Sequence, residues 1–205
     1  MVAWDRDPRK NVMKLNNTYF FMRHGQTIYQ KEKRGINYKS EENLSLPLTD
    51  EGMQMAKESA EKLKSENINI IFSSPYLRTK QTAEITAKIL DIENINYDER
   101  LVDIDLGEFM GRPSEESKKF YFGSTKSFDN RPKGGESWND VLTRVKSFLT
   151  ELEEKYKDKN ILIVSHADPI WLMTGYLKGI EKPEELVEAN KEGCLHPRLA
   201  QVIKA

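Results

Sequence analysis

The chain has 205 residues, 38% of them hydrophobic and 32% charged, and its 32 Lys and Arg nearly balance 33 Asp and Glu for a formal net charge of −1. That balance argues against a general electrostatic pull toward nucleic acid or anionic membranes, and no apolar run approaches the roughly 20 residues of a membrane span. A single cysteine, Cys194, excludes an intrachain disulfide and points to a reducing, cytoplasmic setting.

Residues 1–17 hold Asp5, Arg6, Asp7, Arg9, Lys10 and Lys14 without an apolar core, a pattern unlike a secretory signal and expected of a loosely docked, flexible extension. From 18 to 205 no Gly-, Ser- or Pro-rich linker divides the chain, so one domain is expected there. The apolar run Thr18–Met22 reads as a buried strand emerging into Arg23-His24-Gly25-Gln26-Thr27. A charged stretch, Ile28–Ser45, leads to Thr49, a suitable N-cap, with Asp50 and Glu51 complementing the start of a helix. In that helix Met53, Ala56, Ala60 and Leu63 recur at helical spacing and predict the buried side.

Ile68–Phe72 reads as a second buried strand running into Ser73-Ser74-Pro75, and a helix follows from about Leu77 to Leu90 with Thr82, Ile85 and Ile89 on one side. A short strand at Ile95–Tyr97 precedes a loop, Leu101–Gly111. Residues 112–133 mix Phe120, Tyr121, Phe122 and Phe128 with Lys118, Lys119, Lys126 and Arg131. They predict either a lid over a phosphorylated molecule or a helix that packs its rings into the core. The longest amphipathic helix falls between Ser137 and Lys157, with Val141, Val145, Phe148, Leu149 and Leu152 as its stripe. It hands over to the apolar run Ile161–Ser165, which ends in His166, and Pro169 sits where the first turn of a further helix tolerates it. Strands alternating with helices predict an α/β layer fold with a largely parallel sheet.

In such a sheet the carboxyl ends of the strands form the ligand-binding edge. Arg23 with His24, Arg78, the acidic loop Asp103–Glu108 and His166 all fall there. An imidazole can act as nucleophile, guanidinium groups can grip phosphate oxygens, and a carboxyl group can protonate a leaving alkoxide. The set describes a pocket for a phosphomonoester.

The chain resembles the histidine phosphatase superfamily, which includes cofactor-dependent phosphoglycerate mutases and many small phosphatases. The resemblance rests on six blocks in family order between about Thr18 and Gly179: Arg23-His24-Gly25-Gln26-Thr27; Pro47-Leu48-Thr49 with Gly52 and Ala56; Ser73-Ser74-Pro75 through Arg78 to Gln81-Thr82-Ala83; Leu101 to Gly111; Gly134-Gly135-Glu136-Ser137; and Val164-Ser165-His166. It implies a three-layer α/β/α fold around a mostly parallel central sheet, like that of phosphoglycerate mutase. It also implies a phosphohistidine formed on His24 and hydrolysed by water, with no metal and no cofactor. Arg23, Arg78 and a cationic His166 would hold the phosphoryl oxygens, Thr27 would add a hydroxyl donor, and Gly25 would supply a carbonyl that fixes the His24 tautomer. Residues at Ala167 and Glu136 would also face the substrate, Glu136 either helping to cap the long helix or orienting a pocket arginine.

Several positions depart from the family pattern. The general acid is usually a glutamate, and Asp103 occupies its place; Glu108, longer and just beyond Gly107, is the competing acid. Ala167 and Asp168 follow His166 where a glycine is common, making that rim more acidic and less suited to a highly anionic substrate. Lys31, Lys33 and Arg34 form either a solvated loop or part of the pocket rim. His196 has no motif and is expected at the surface or in C-terminal packing, Cys194 is expected to be an unreactive part-buried thiol, and Trp138 and Trp171 are expected in the core. The implied partner is a small phosphorylated metabolite, with the oligomeric state left open. A mutase is the alternative, as is a binding protein without turnover; the short insert after the acid segment favours a phosphatase.

Overall fold

The computed structural model of the protein describes residues 15–122, 128–180, 182–191 and 197–204. Its elements in chain order are β1 (Thr18–Arg23), α1 (Ile28–Lys31), α2 (Asp50–Leu63), β2 (Ile70–Ser73), α3 (Leu77–Leu90), β3 (Ile95–Tyr97), α4 (Ser114–Phe122), α5 (Trp138–Lys155), β4 (Asn160–Ser165), α6 (Ala167–Leu177), α7 (Pro183–Lys191) and β5 (Val202–Lys204). The strands form one sheet in the order β3-β2-β4-β1-β5, parallel except for β5, which runs antiparallel to β1. Among the described residues no helix is long and apolar enough to cross a membrane.

Both faces of the central strands are covered, which is why they read as unbroken apolar runs. In β1, Tyr19 and Phe21 face a core shared with Phe148 and Leu149 of α5 and Ile170 and Trp171 of α6. Phe20 and Met22 face the opposite core with Ala56 and Leu63 of α2 and Ala83 and Ala87 of α3. The result is the expected three-layer α/β/α arrangement.

Helix starts follow local chemistry. The Thr49 hydroxyl accepts from Gly52 N at 3.0 Å to cap α2, and Ser137 and Asp140 form a capping box at α5. Two helix faces differ from the periodic prediction. In α2 the buried set is Gly52, Ala56, Ala60 and Leu63, with Met53 only half-buried. In α3 it is Arg78, Thr79, Thr82, Ala83, Thr86 and Ala87, so Ile85 and Ile89 lie at the margin. The α2 and α3 pair packs closely, and small residues win the sheet side because larger ones would hold the layers apart.

Strand β5 has no counterpart in the sequence reading: three residues carry too little periodicity, and pairing with β1 alone defines them. Asn16 and Asn17, assigned above to the N-terminal extension, bind α5 through Glu153, and the Asn17 amide also donates to Tyr156 O at 2.9 Å. Residues 1–14, Lys126, Cys194 and His196 lie outside the described residues, so the expectations for them stand apart from this description.

Candidate active site

The parallel register of β1 with β4 sets Arg23 opposite Ser165, so His24 and His166 leave the sheet side by side with ring centroids 5.3 Å apart. The backbone holds the first imidazole firmly: His24 N donates to Ser165 O, and His24 O accepts from Ala200 N. His24 Nδ1 lies 2.8 Å from Gly25 O. A carbonyl only accepts, so Nδ1 carries the proton and Nε2 keeps its lone pair for attack. Burial, then the charges of Arg78 and Arg23, hold His24 well below the ordinary imidazole range, so it is neutral at neutral pH. Gly25 is required by contact: a Cβ there would lie 2.3 Å from Gly52 O, at the first turn of α2.

Arg78, fully buried in the first turn of α3, is positioned by residues of the 28–45 loop and by its own neighbour. Its Nη1 donates to Asn43 Oδ1 at 3.3 Å. Its guanidinium lies 4.4 Å from the Tyr38 ring centroid and 5.0 Å from that of Tyr76. His166 Nε2 lies 2.9 Å from Ser74 Oγ; with the Ser74 hydroxyl as donor, the His166 proton sits on Nδ1. Burial, followed by Arg78 and His24, lowers the His166 pKa well below the ordinary value. The imidazole is thus neutral in the protein alone, and a phosphoryl dianion beside it would raise its proton affinity, the direction required by the cationic form that the resemblance implies during phosphate binding.

Four buried nitrogens here have no hydrogen-bond partner: Arg23 Nε, Arg78 Nε, Arg78 Nη2 and His166 Nδ1. Leaving a buried donor unmet costs about 1–3 kcal/mol, more for a charged group, and anionic oxygens are the acceptors that suit two guanidinium groups and an imidazole. Arg78 Nη2 and His166 Nδ1 each lie 3.6 Å from Asp103 Oδ2, beyond hydrogen-bond length but within one pocket. The Asp103 side chain is 22% exposed. Burial raises its pKa, the nearby Asp168 raises it further, and Arg78 and Arg23 oppose this without cancelling it. Asp103 therefore holds a proton more strongly than an ordinary carboxyl group.

The structure separates the two candidate acids. Glu108 is exposed, and its Oε1 accepts from Lys133 N at 3.2 Å, away from the histidines. Asp103 is fixed from behind by Arg144, which donates to Asp103 O at 3.2 Å and Arg100 O at 2.6 Å. Glu136 pairs with Arg144 at 2.9 Å and accepts from Asp105 N at 3.0 Å. Glu136 thus orients an arginine, but one behind the acid loop rather than one in the pocket, and Ser137 does the capping. Gly107, at φ 50°, closes the contact; a Cβ there would meet Lys133 O at 2.3 Å.

Other expectations resolve differently. The Thr27 hydroxyl donates to Gln30 Oε1 at 2.8 Å, so its proton serves the α1 turn rather than the pocket. Lys31 and Lys33 are exposed and Arg34 pairs with Glu32; the 28–45 loop turns Tyr29, Gln30, Asn37, Tyr38 and Asn43 inward instead. Ala167 lines the cavity. Trp171 is core, whereas Trp138 is both buried and cavity-lining, its Nε1 donating to Asp168 Oδ1 at 3.2 Å. Among the described residues of 112–133, Tyr121 and Phe128 pack with Trp138, while Lys118 and Phe122 border the cavity. Sequence reasoning missed Tyr38, Asn43, Ser74 as a histidine partner, and Arg144. Only Ser74 lay in a recognisable motif; the others act across long sequence separations.

The layered sheet with its histidine-bearing edge is that of a phosphoglycerate mutase-like α/β protein. A mycobacterial glucosyl-3-phosphoglycerate phosphatase solved with VO3 superposes with a TM-score of 0.71 at 23% identity, covering 91% of this chain and 90% of that one. A mutant phosphoserine phosphatase from Entamoeba histolytica in complex with phosphoserine gives a TM-score of 0.67 at 22% identity, over 92% and 89%. The profile of the histidine phosphatase superfamily (branch 1) matches residues 19–189, and the chain belongs to that superfamily. It is 33% identical over 139 residues to phosphoserine phosphatase 1 of Hydrogenobacter thermophilus, the match spanning 65% of each chain, just under two thirds of that relative's length. It is 31% identical over 166 residues to the "Probable phosphoglycerate mutase GpmB" of Salmonella choleraesuis, covering 78% of this chain and 74% of the relative.

Proposed function

We propose that the protein hydrolyses small phosphomonoesters through a phosphohistidine on His24, without a metal. The observation that carries this reading is a neutral His24, its Nδ1 proton held by Gly25 O, beside four buried and unpartnered donors from Arg23, Arg78 and His166. His24 Nε2 attacks phosphorus while the ester P–O bond breaks, and Asp103 gives its proton to the departing oxygen. Water then attacks the phosphohistidine, Asp103 takes a proton from it, and inorganic phosphate leaves with His24 restored. The two guanidinium groups supply the positive charge that a metal supplies elsewhere, the His166 imidazole adds a hydrogen-bond donor, and their fixed placement is the main source of rate. Thr27 has no direct part, and Glu136 acts through Arg144 on the placement of Asp103.

The reading includes a cytoplasmic setting, on the single Cys194, and 18–205 as one domain with 112–133 as part of the substrate enclosure. The GpmB relative supports a second reading, a mutase that keeps the phosphoryl group from water. Rapid quench into alkaline detergent with an aryl phosphate labelled at phosphorus tests the proposal. Acid-labile, base-stable label on the protein, absent from His24→Ala, with release of inorganic phosphate at every turnover, is the expected outcome. Label that persists until an alcohol acceptor is added would establish the mutase instead, and turnover without label in the intact protein would remove the phosphohistidine.

A further inference from the structure

Beyond the phosphoryl pocket the cavity continues for a total volume of about 480 Å³. Its charged lining groups, among the described residues, are Arg23, Asp103, Lys118 and Asp168. Arg23 and Asp103 belong to phosphoryl transfer. Lys118 lies on the exposed side of α4, where water and salt screen it. Asp168 is different. It sits in the first turn of α6, two residues after His166, with one carboxylate oxygen held by the Nε1–H of the buried Trp138. Trp138 is itself clamped by Tyr121, Phe122, Phe128 and Trp171, so the carboxylate cannot readily swing away. No ion pair within 4 Å is formed between Asp168 and Arg23 or any other described cation.

Resting on the phosphatase reading, we propose that Asp168 selects the leaving group by charge: it favours phosphomonoesters bearing an ammonium group a few atoms from the ester oxygen, such as phosphorylated amino alcohols, and disfavours those bearing a carboxylate there. A carboxylate fixed in a part-buried, aromatic-walled cavity interacts strongly with a charged group placed beside it, attractively or repulsively according to sign. The aromatic rings add a surface that tolerates an organic cation. Burial raises the Asp168 pKa, and an ammonium partner would draw it back toward the charged form.

Three nearly isosteric substrates test this: phosphoethanolamine, propyl phosphate and phosphoglycolate, which differ in the charge at the far end of a short chain. In the intact protein kcat/KM should fall in that order. In Asp168→Asn, where the amide oxygen still accepts from Trp138, the phosphoethanolamine to propyl phosphate ratio should drop about tenfold and the phosphoglycolate to propyl phosphate ratio should rise about tenfold, as expected for loss of one hydrogen-bonded charge contact. Parallel loss on all three esters would overturn the proposal and make Asp168 a positioning residue for Arg23. Preference of the intact protein for phosphoglycolate would overturn it in favour of Lys118. If no ester is turned over, the hydrolase reading fails, and calorimetric binding of the three esters to both proteins decides the Asp168 proposal by the same reversal of order.

Discussion

The phosphoryl pocket and the chamber beyond it are built from different parts of the chain. Strand ends and helix first turns supply the pocket: His24 and His166 follow paired strands, Arg78 opens α3, and each is buried. Loops, α4 and the first turns of α5 and α6 line the chamber, where Phe122 is 45% exposed and Lys118 lies at the surface. Sheet register fixes the first to the ångström because a one-residue slip would turn every side chain to the other face. Loop packing fixes the second only through side chains such as Trp138. A fixed pocket suits a reaction common to many substrates, and a chamber of loops is where one substrate is told from another.

The comparison predicts a graded series of effects. The largest belongs to the proposed nucleophile: His24→Ala should lower kcat for an aryl phosphate by on the order of 10⁴ or more, since loss of a covalent nucleophile leaves only binding and charge stabilisation. Asp103→Asn should slow alkyl phosphates by on the order of 10²–10⁴ and aryl phosphates far less, because a good leaving group needs little protonation. Glu108→Gln, outside the pocket, should match the parent on both. A selective loss in Glu108→Gln with Asp103→Asn near the parent would reverse the assignment of the acid.

The pH profile sharpens the same pair. His24 must be neutral to attack, so the rate should rise with pH through a value below the ordinary imidazole range. Asp103 must be protonated to donate, so the rate should fall with pH through a value above the ordinary carboxyl range. Asp103→Asn should flatten the falling limb for alkyl phosphates and leave the rising one. A falling limb unchanged in that variant would mean that another group, or the substrate phosphate itself, sets it.

Packing behind the pocket comes next. Gly25→Ala places a Cβ against Gly52 O, and overpacking of this kind typically costs about 1–3 kcal/mol of stability. Urea unfolding should show it; an unchanged midpoint would mean that α2 shifts freely, contrary to the rigid edge described here. The smallest effect belongs to the chamber. Phe122→Ala should raise KM several-fold for esters with an apolar leaving group, in line with about 1–3 kcal/mol for a lost apolar contact, while inhibition by inorganic phosphate stays as in the parent. A matching loss of phosphate inhibition would show that pocket and chamber are one unit.

The sequence by itself determined the layers, the strands bearing the two histidines, the first turn of α3 with Arg78, and the Thr49-capped start of α2. These are encoded locally, in apolar runs bounded by polar residues and in short motifs. Tertiary structure alone decided that Asp103 reaches the histidines and Glu108 does not: the two stand five residues apart, and only the contact of the Gly134-Gly135-Glu136 segment with Gly107 and Asp105 turns one inward. It also decided that Arg144 braces the acid loop from 41 residues away, that the Tyr38 ring lies against Arg78, and that β5 completes the sheet beside β1. Such contacts arise when distant segments pack, and the energy that selects them resides in the packed state rather than in either segment.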